Sequence, residues 1–126
     1  MNTFATIFVL ALCAGSAQMQ RTFADRQWQA EVAFRSDAGR QYGEKIGHLM
    51  GLANGQCAGL MSSEGFSLVG DVLPTGVLTN IEVQPNNKES ECYANAFRHA
   101  PRFPRPPVSF GNAGFPFAFT VTAAIY

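Results

Sequence analysis

At 126 residues the chain has room for one domain, and apolar residues at 47% are enough for a core. Nine acidic residues offset nine basic ones, so no global field draws in nucleic acid, whose phosphates require clustered Lys and Arg. Two histidines far apart, His48 and His99, exclude the denser ligand and base constellations of metal and hydrolytic centres.

The first stretch, MNTFATIFVLALCAGSA, has an apolar run from Phe4 to Ala14 followed by Gly15, Ser16 and Ala17. This layout reads as a secretory signal over residues 1–17, too short for a membrane span and followed at once by Gln18-Met19-Gln20-Arg21. Leu10-Ala11-Leu12-Cys13 also approaches a bacterial lipobox, with Leu12 where a small residue is usual; lipidation at Cys13, which would anchor the chain, is the alternative to a soluble exported protein. Removal of Cys13 with the signal leaves Cys57 and Cys92, an even pair in a small exported domain, and a disulfide is expected between them.

Residues 18–60 read as an extension that shares one domain with residues 61–126. Trp28, Ala30, Val32 and Phe34 alternate with polar residues, as in a strand, while Ala30, Phe34, Ala38, Tyr42 and Ile46 are spaced by four, as in a helix. The alternation favours a strand ending near Ser36-Asp37, with Asp37 capping a helix over about 38–52. That helix buries Tyr42, Ile46, Leu49 or Met50, and Ala53. It carries a glycine every fourth residue, Gly39, Gly43, Gly47, Gly51, Gly55 and Gly59. Each interior glycine costs about 1 kcal/mol against alanine, so the ladder implies close backbone packing, by default onto the domain's own sheet. Asn54-Gly55 is expected to end the helix.

Residues 66–73 and 77–84 alternate as two strands around Pro74-Thr75-Gly76. Leu68, Gly70 and Val72 share one face and Ser67, Val69, Asp71 and Leu73 the other; in the second strand Val77, Thr79, Ile81 and Val83 oppose Leu78, Asn80, Glu82 and Gln84. Ser90 is placed to cap a short helix carrying Cys92, Tyr93, Ala96 and Phe97. Prolines at 101, 104, 106 and 107 then impose an extended path. In the closing GFPFAFTVTAAIY, residues Phe115, Phe117, Phe119, Val121, Ala123 and Ile125 fall on one strand face.

The hairpin Gly70–Gln84, the helix Cys92–His99, the proline step Phe103–Pro107 and the Phe-rich strand Gly114–Val121 together resemble the C-terminal domain of TonB and the related domain of TolA, over about 60 of the 126 residues. The resemblance implies an α+β, two-layer sandwich: an antiparallel sheet of three strands, or four, with helices on one face. It also implies a periplasmic protein-binding module that accepts a partner strand at a sheet edge, here through Phe115, Phe117, Phe119 and Val121. Residues 18–60 have no counterpart in the family, and Gln84-Pro85-Asn86-Asn87 stands where it carries Ser-Ser-Gly. No long spacer follows the apolar run, so energy transduction from the inner membrane is not expected.

No catalytic set, phosphate loop, dinucleotide fingerprint or zinc spacing emerges, and the expectation is a protein without cofactor or metal that is not an enzyme. A second class of function fits the same features: a small periplasmic inhibitor or immunity protein that inserts the proline-stiffened loop, through Arg102, Phe103 and Arg105, into a toxin or lytic enzyme. The expected partner is a protein of the cell envelope, with homodimerisation compatible with either reading; neither nucleic acid nor membrane insertion is expected of the processed chain.

Overall fold

The computed structural model describes residues 21–51, 53–57, 60 and 64–122. The apolar leader with Cys13, Gly59, and the Ala123 and Ile125 positions of the last strand lie outside the described residues. Helices α1 (Phe23–Arg35) and α2 (Asp37–Gly47), a 3-10 turn (His48–Gly51) and one helical turn, α3 (Asn54–Cys57), precede the hairpin β1 (Phe66–Val72) and β2 (Leu78–Gln84). Helix α4 (Lys88–Arg98), a second 3-10 turn (Val108–Phe110) and β3 (Phe115–Val121) complete the order. The fold is α+β, with one antiparallel sheet of three strands in the order β2-β1-β3.

Where alternation predicts a strand, residues 23–35 form a helix. Thr22 Oγ1 accepts the Asp25 N–H at 3.0 Å and Asp25 Oδ2 accepts the Thr22 N–H at 3.4 Å, a reciprocal cap that satisfies two orphan donors. The buried residues are Arg26, Ala30 and Ala33, at helical spacing. Trp28, Val32 and Phe34, three of the four apolar residues that suggested a strand, are exposed. Ser36, not Asp37, is the cap of α2, its Oγ accepting the Gly39 N–H at 3.1 Å.

The glycine ladder divides in two. A Cβ on Gly39 would overlap the Ala33 carbonyl and one on Gly43 would overlap the Phe34 ring, whereas Gly47 and Gly55 meet nothing. The close approach is therefore to α1 at the α1–α2 corner, not to the sheet. Past Gly43 the glycines only weaken the helix, which ends at Gly47, and Asn54-Gly55 opens α3 instead of closing a long helix. Tyr42, Ile46 and Ala53 are buried, with Leu49 and Met50 partly so.

In the hairpin, Val72 pairs with Leu78, Asp71 with Thr79, and Val69 with Glu82, which leaves a bulge at Asn80. Asn80 takes φ 54°, a conformation asparagine tolerates better than most side chains. The bulge reverses the phase of the first half of β2. Leu78, and not Val77 or Thr79, therefore shares the core side with Val72, Ile81 and Val83. The core side of β1 and β3 carries Phe66, Leu68, Val72, Phe115 and Phe117, covered by Tyr93, Ala94 and Phe97 of α4. Gly70 is the gap in that row: its missing Cβ leaves room for Ile81 Cδ1 and the Phe117 ring. Asn87, with Ser90 at the third helical position, caps α4 in place of the expected Ser90.

The helical layer expected on one face is joined by a second. Residues of α1 line grooves with Ser67 and Gln84, and with Ala118, all on the side opposite the core row. Once residues 23–35 are helical they cover this face, which explains why β1 is buried on both sides.

Cys57 and Cys92 form a disulfide, S–S 2.07 Å, across a sequence separation of 35. Replacing both by alanine is expected to lower the unfolding free energy by about 4 kcal/mol, the chain-entropy estimate for such a loop. Urea denaturation of the oxidised wild type beside the double variant measures the difference.

Candidate functional site

The hairpin turn sets the hydrogen-bonding phase of the whole sheet. Leu73 N–H donates to Val77 O at 2.8 Å, so odd-numbered residues of β1 bond toward β2 and even-numbered ones toward β3. In β3, paired Phe66↔Val121 through Val72↔Phe115, it follows that Phe115, Phe117, Phe119 and Val121 direct their backbone groups to β1. Pro116, Ala118 and Thr120 direct theirs outward. Pro116, with no N–H to give, occupies an outward position, where an edge strand tolerates proline. The Ser67 and Thr120 hydroxyls lie 2.9 Å apart, as expected of a pair whose backbones turn away from each other.

The two sheet margins are therefore unlike. On β2 the outward carbonyl of Ile81 accepts from Arg98 Nη2 at 3.3 Å, so α4 reaches that edge at one position. On β3 the outward N–H groups of Ala118 and Thr120, and the carbonyls of Pro116, Ala118 and Thr120, have no hydrogen-bond partner among the described residues. Of the side chains expected at this edge, Phe115 and Phe117 are buried, and Phe119 and Val121 are half-buried against the core. Phe119 stacks with Phe97 at 5.5 Å and Phe115 with Tyr42 at 4.9 Å. They fasten β3 to the domain, and the β3 backbone groups without a hydrogen-bond partner among the described residues are those at 116, 118 and 120.

Helix α1 is held over the sheet by a charge cluster that motif reading missed. Asp71, only 4% exposed in the central strand, meets Arg26 Nη2 at 3.4 Å, Arg21 Nη2 at 3.3 Å and Asn80 Nδ2 at 3.1 Å. Arg26 Nη1 also meets Glu82 Oε1 at 3.1 Å. A buried carboxylate needs such partners, and the one signal in the sequence was an aspartate inside a mostly apolar strand. The cluster borders a cleft of about 250 Å³ lined by Arg21, Arg26, Asn80, Ile81 and Glu82.

The proline-rich segment is pinned. Phe103 N–H donates to Gly76 O at 2.9 Å, and the Tyr42 hydroxyl donates to Pro104 O at 2.6 Å. Phe103, one of three residues expected to meet a partner through this loop, is buried and belongs to the core; Arg102 and Arg105 are exposed. His48 is exposed, and His99 Nδ1 lies 2.9 Å from Asn95 O. Among the described residues no group of three or more His, Cys, Asp or Glu is placed to hold a metal, and no helix is long and apolar enough to cross a membrane.

Comparison with known proteins finds no matching family model, no matching curated protein and no matching solved structure.

Truncating Arg26 to alanine is expected to lower stability by about 3 kcal/mol, the low end for a broken buried ion pair because Arg21 and Asn80 still hold Asp71. Arg26→Met combined with Asp71→Leu should recover most of that loss in urea denaturation. Burial pushes the Tyr42 hydroxyl up to about 12, and burial followed by the Glu89 charge raises Tyr93. The neutral phenols favour the folded state, so their contribution is complete below pH 10 and is lost as pH rises through the folded values. Thermal melts between pH 9 and 12 should show falling stability, with a shallower fall in Tyr42→Phe.

Proposed function

We propose that this chain is a non-catalytic protein-binding module of the bacterial envelope, which takes up a segment of a partner protein as a fourth strand beside β3. The open outer backbone of β3 carries this reading: outward groups at Pro116, Ala118 and Thr120 have no partner among the described residues, while at the opposite margin Arg98 reaches the Ile81 carbonyl. Unpaired strand edges are templates for an incoming strand. The disulfide is compatible with an oxidising compartment, and the apolar leader supports export to the periplasm. The order β-β-α-β supports the likeness to the C-terminal domains of TonB and TolA.

The inhibitor reading draws support from one observation, the pinning of the proline segment at Phe103 and Pro104, which presents Arg102 and Arg105 on a stiff support.

The two readings part in a pull-down from envelope extract with the oxidised protein, scored by quantitative mass spectrometry. Thr120→Pro and Ala118→Pro each remove one outward N–H and leave the β1 ladder intact. Strand addition predicts at least a tenfold loss of the captured protein with either, and no change with Arg102→Ala plus Arg105→Ala. The reverse pattern, with a toxin or hydrolase as the captured protein, would establish the inhibitor. Substitution at Phe119 would not separate them, because its N–H serves β1.

A further inference from the structure

Between α1 and β3 lies a groove of about 380 Å³ lined by Gln27, Ala30, Glu31, Phe34 and Ala118. The four helical residues recur at i, i+3, i+4 and i+7 and so form one stripe of α1. Its one strand residue, Ala118, belongs to β3, so the groove adjoins the backbone edge that has no partner among the described residues. Phe34 packs one side of its ring 6.4 Å from Phe115 and remains 44% exposed. Ala30 and Ala118 are small, and the step beside them is filled by neither side chain.

We propose that this groove is the specificity pocket of the edge, and that its ligand is an extended peptide segment with a large apolar residue in register with Ala118. The inference rests on the strand-addition reading and goes beyond it by naming what the strand must carry. A strand added beside β3 directs the residue opposite Ala118 to the same face as Ala118, whether it runs parallel or antiparallel. That face is the α1 side, so this one side chain enters the groove and covers Phe34. A small residue there leaves the groove unfilled. A charged residue is desolvated against Phe34 without a counter-ion, because Glu31 is already paired with Arg35 at 2.8 Å. A second copy of the chain is a poor occupant: antiparallel self-pairing centred on Ala118 sets alanine against alanine and leaves the step open. The backbone edge supplies affinity without sequence preference, and the groove adds preference at a single position.

The test is a displayed library of random ten-residue peptides panned against the oxidised wild-type protein, with each enriched peptide then synthesised and titrated. Enrichment of a large apolar residue at one fixed position is expected. Replacing that residue by alanine should weaken binding at least tenfold, and by aspartate more. Ala118→Leu, which fills the groove from the strand side, should shift the preference to small residues while binding persists. Glu31→Leu, filling it from the exposed helix side, repeats the experiment independently of β3 packing. If enriched peptides bind Thr120→Pro as tightly as wild type, strand addition itself is wrong. Loss of binding with Thr120→Pro, together with an unchanged residue preference in both groove-filling variants, leaves strand addition standing and removes the groove from it. Failure to enrich any peptide overturns the proposal, as does a protein that forms only a dimer through this edge.

Discussion

A carboxylate buried in the middle strand of a three-stranded sheet has to be neutralised from the side it faces. In this protein Asp71 sits there, and α1 brings Arg26 to meet it, with Arg21 just ahead of the helix and Asn80 from the bulge in β2. The requirement dictates which face α1 covers. It also gives the β2 bulge a purpose, since Asn80 stands within reach of Asp71 where the ladder shifts register. Such clusters contribute less net stability than apolar packing of the same volume, and their better-supported use is to select one arrangement over others. Helix α1 has few buried apolar residues of its own, so the ion cluster orients a helix that hydrophobic burial alone would hold loosely.

The opposite face is organised by aromatic packing. Tyr93 and Phe97 of α4 meet Phe66, Phe117 and Phe119, while Tyr42 and Phe110 flank Phe115. The disulfide fastens α3 to α4, and the Tyr42–Pro104 hydrogen bond fastens α2 to the proline-rich segment. Each connection joins parts distant in sequence, which suits a small domain whose limited core leaves little stability to spare.

The two faces together leave an asymmetry at the margins. Arg98 of α4 reaches the outer backbone of β2, whereas α1 lies over β3 without a hydrogen bond to its outer edge among the described residues. Pro116 blunts one position of that edge, a common guard against indiscriminate pairing. What stays open among the described residues is the short run at Ala118 and Thr120, beside a groove with Phe34 at its side. An edge of this kind consists of backbone geometry, so it leaves no motif of catalytic or ligating residues to be found.

Local pattern alone determined the hairpin, α4, the last strand and the pairing of Cys57 with Cys92. Alternation, turn residues and cysteine count are properties of short stretches or of simple arithmetic, and they survive folding unchanged. Where two local patterns fitted equally, at residues 22–35, the decision belonged to the tertiary structure. The helix there is fixed by a cap at Thr22 and by contacts from Arg26 to Asp71 and Glu82, 45 and 56 residues away. The reversed phase of early β2, the division of the glycine ladder at Gly43 and the burial of Phe103 were likewise settled by distant neighbours. The edge is the strongest case. Alternate spacing placed the phenylalanines of β3 on one face, but which backbone groups point outward depends on the register with β1. Which β1 groups face β3 is in turn fixed by the phase of the β1–β2 turn, far earlier in the chain.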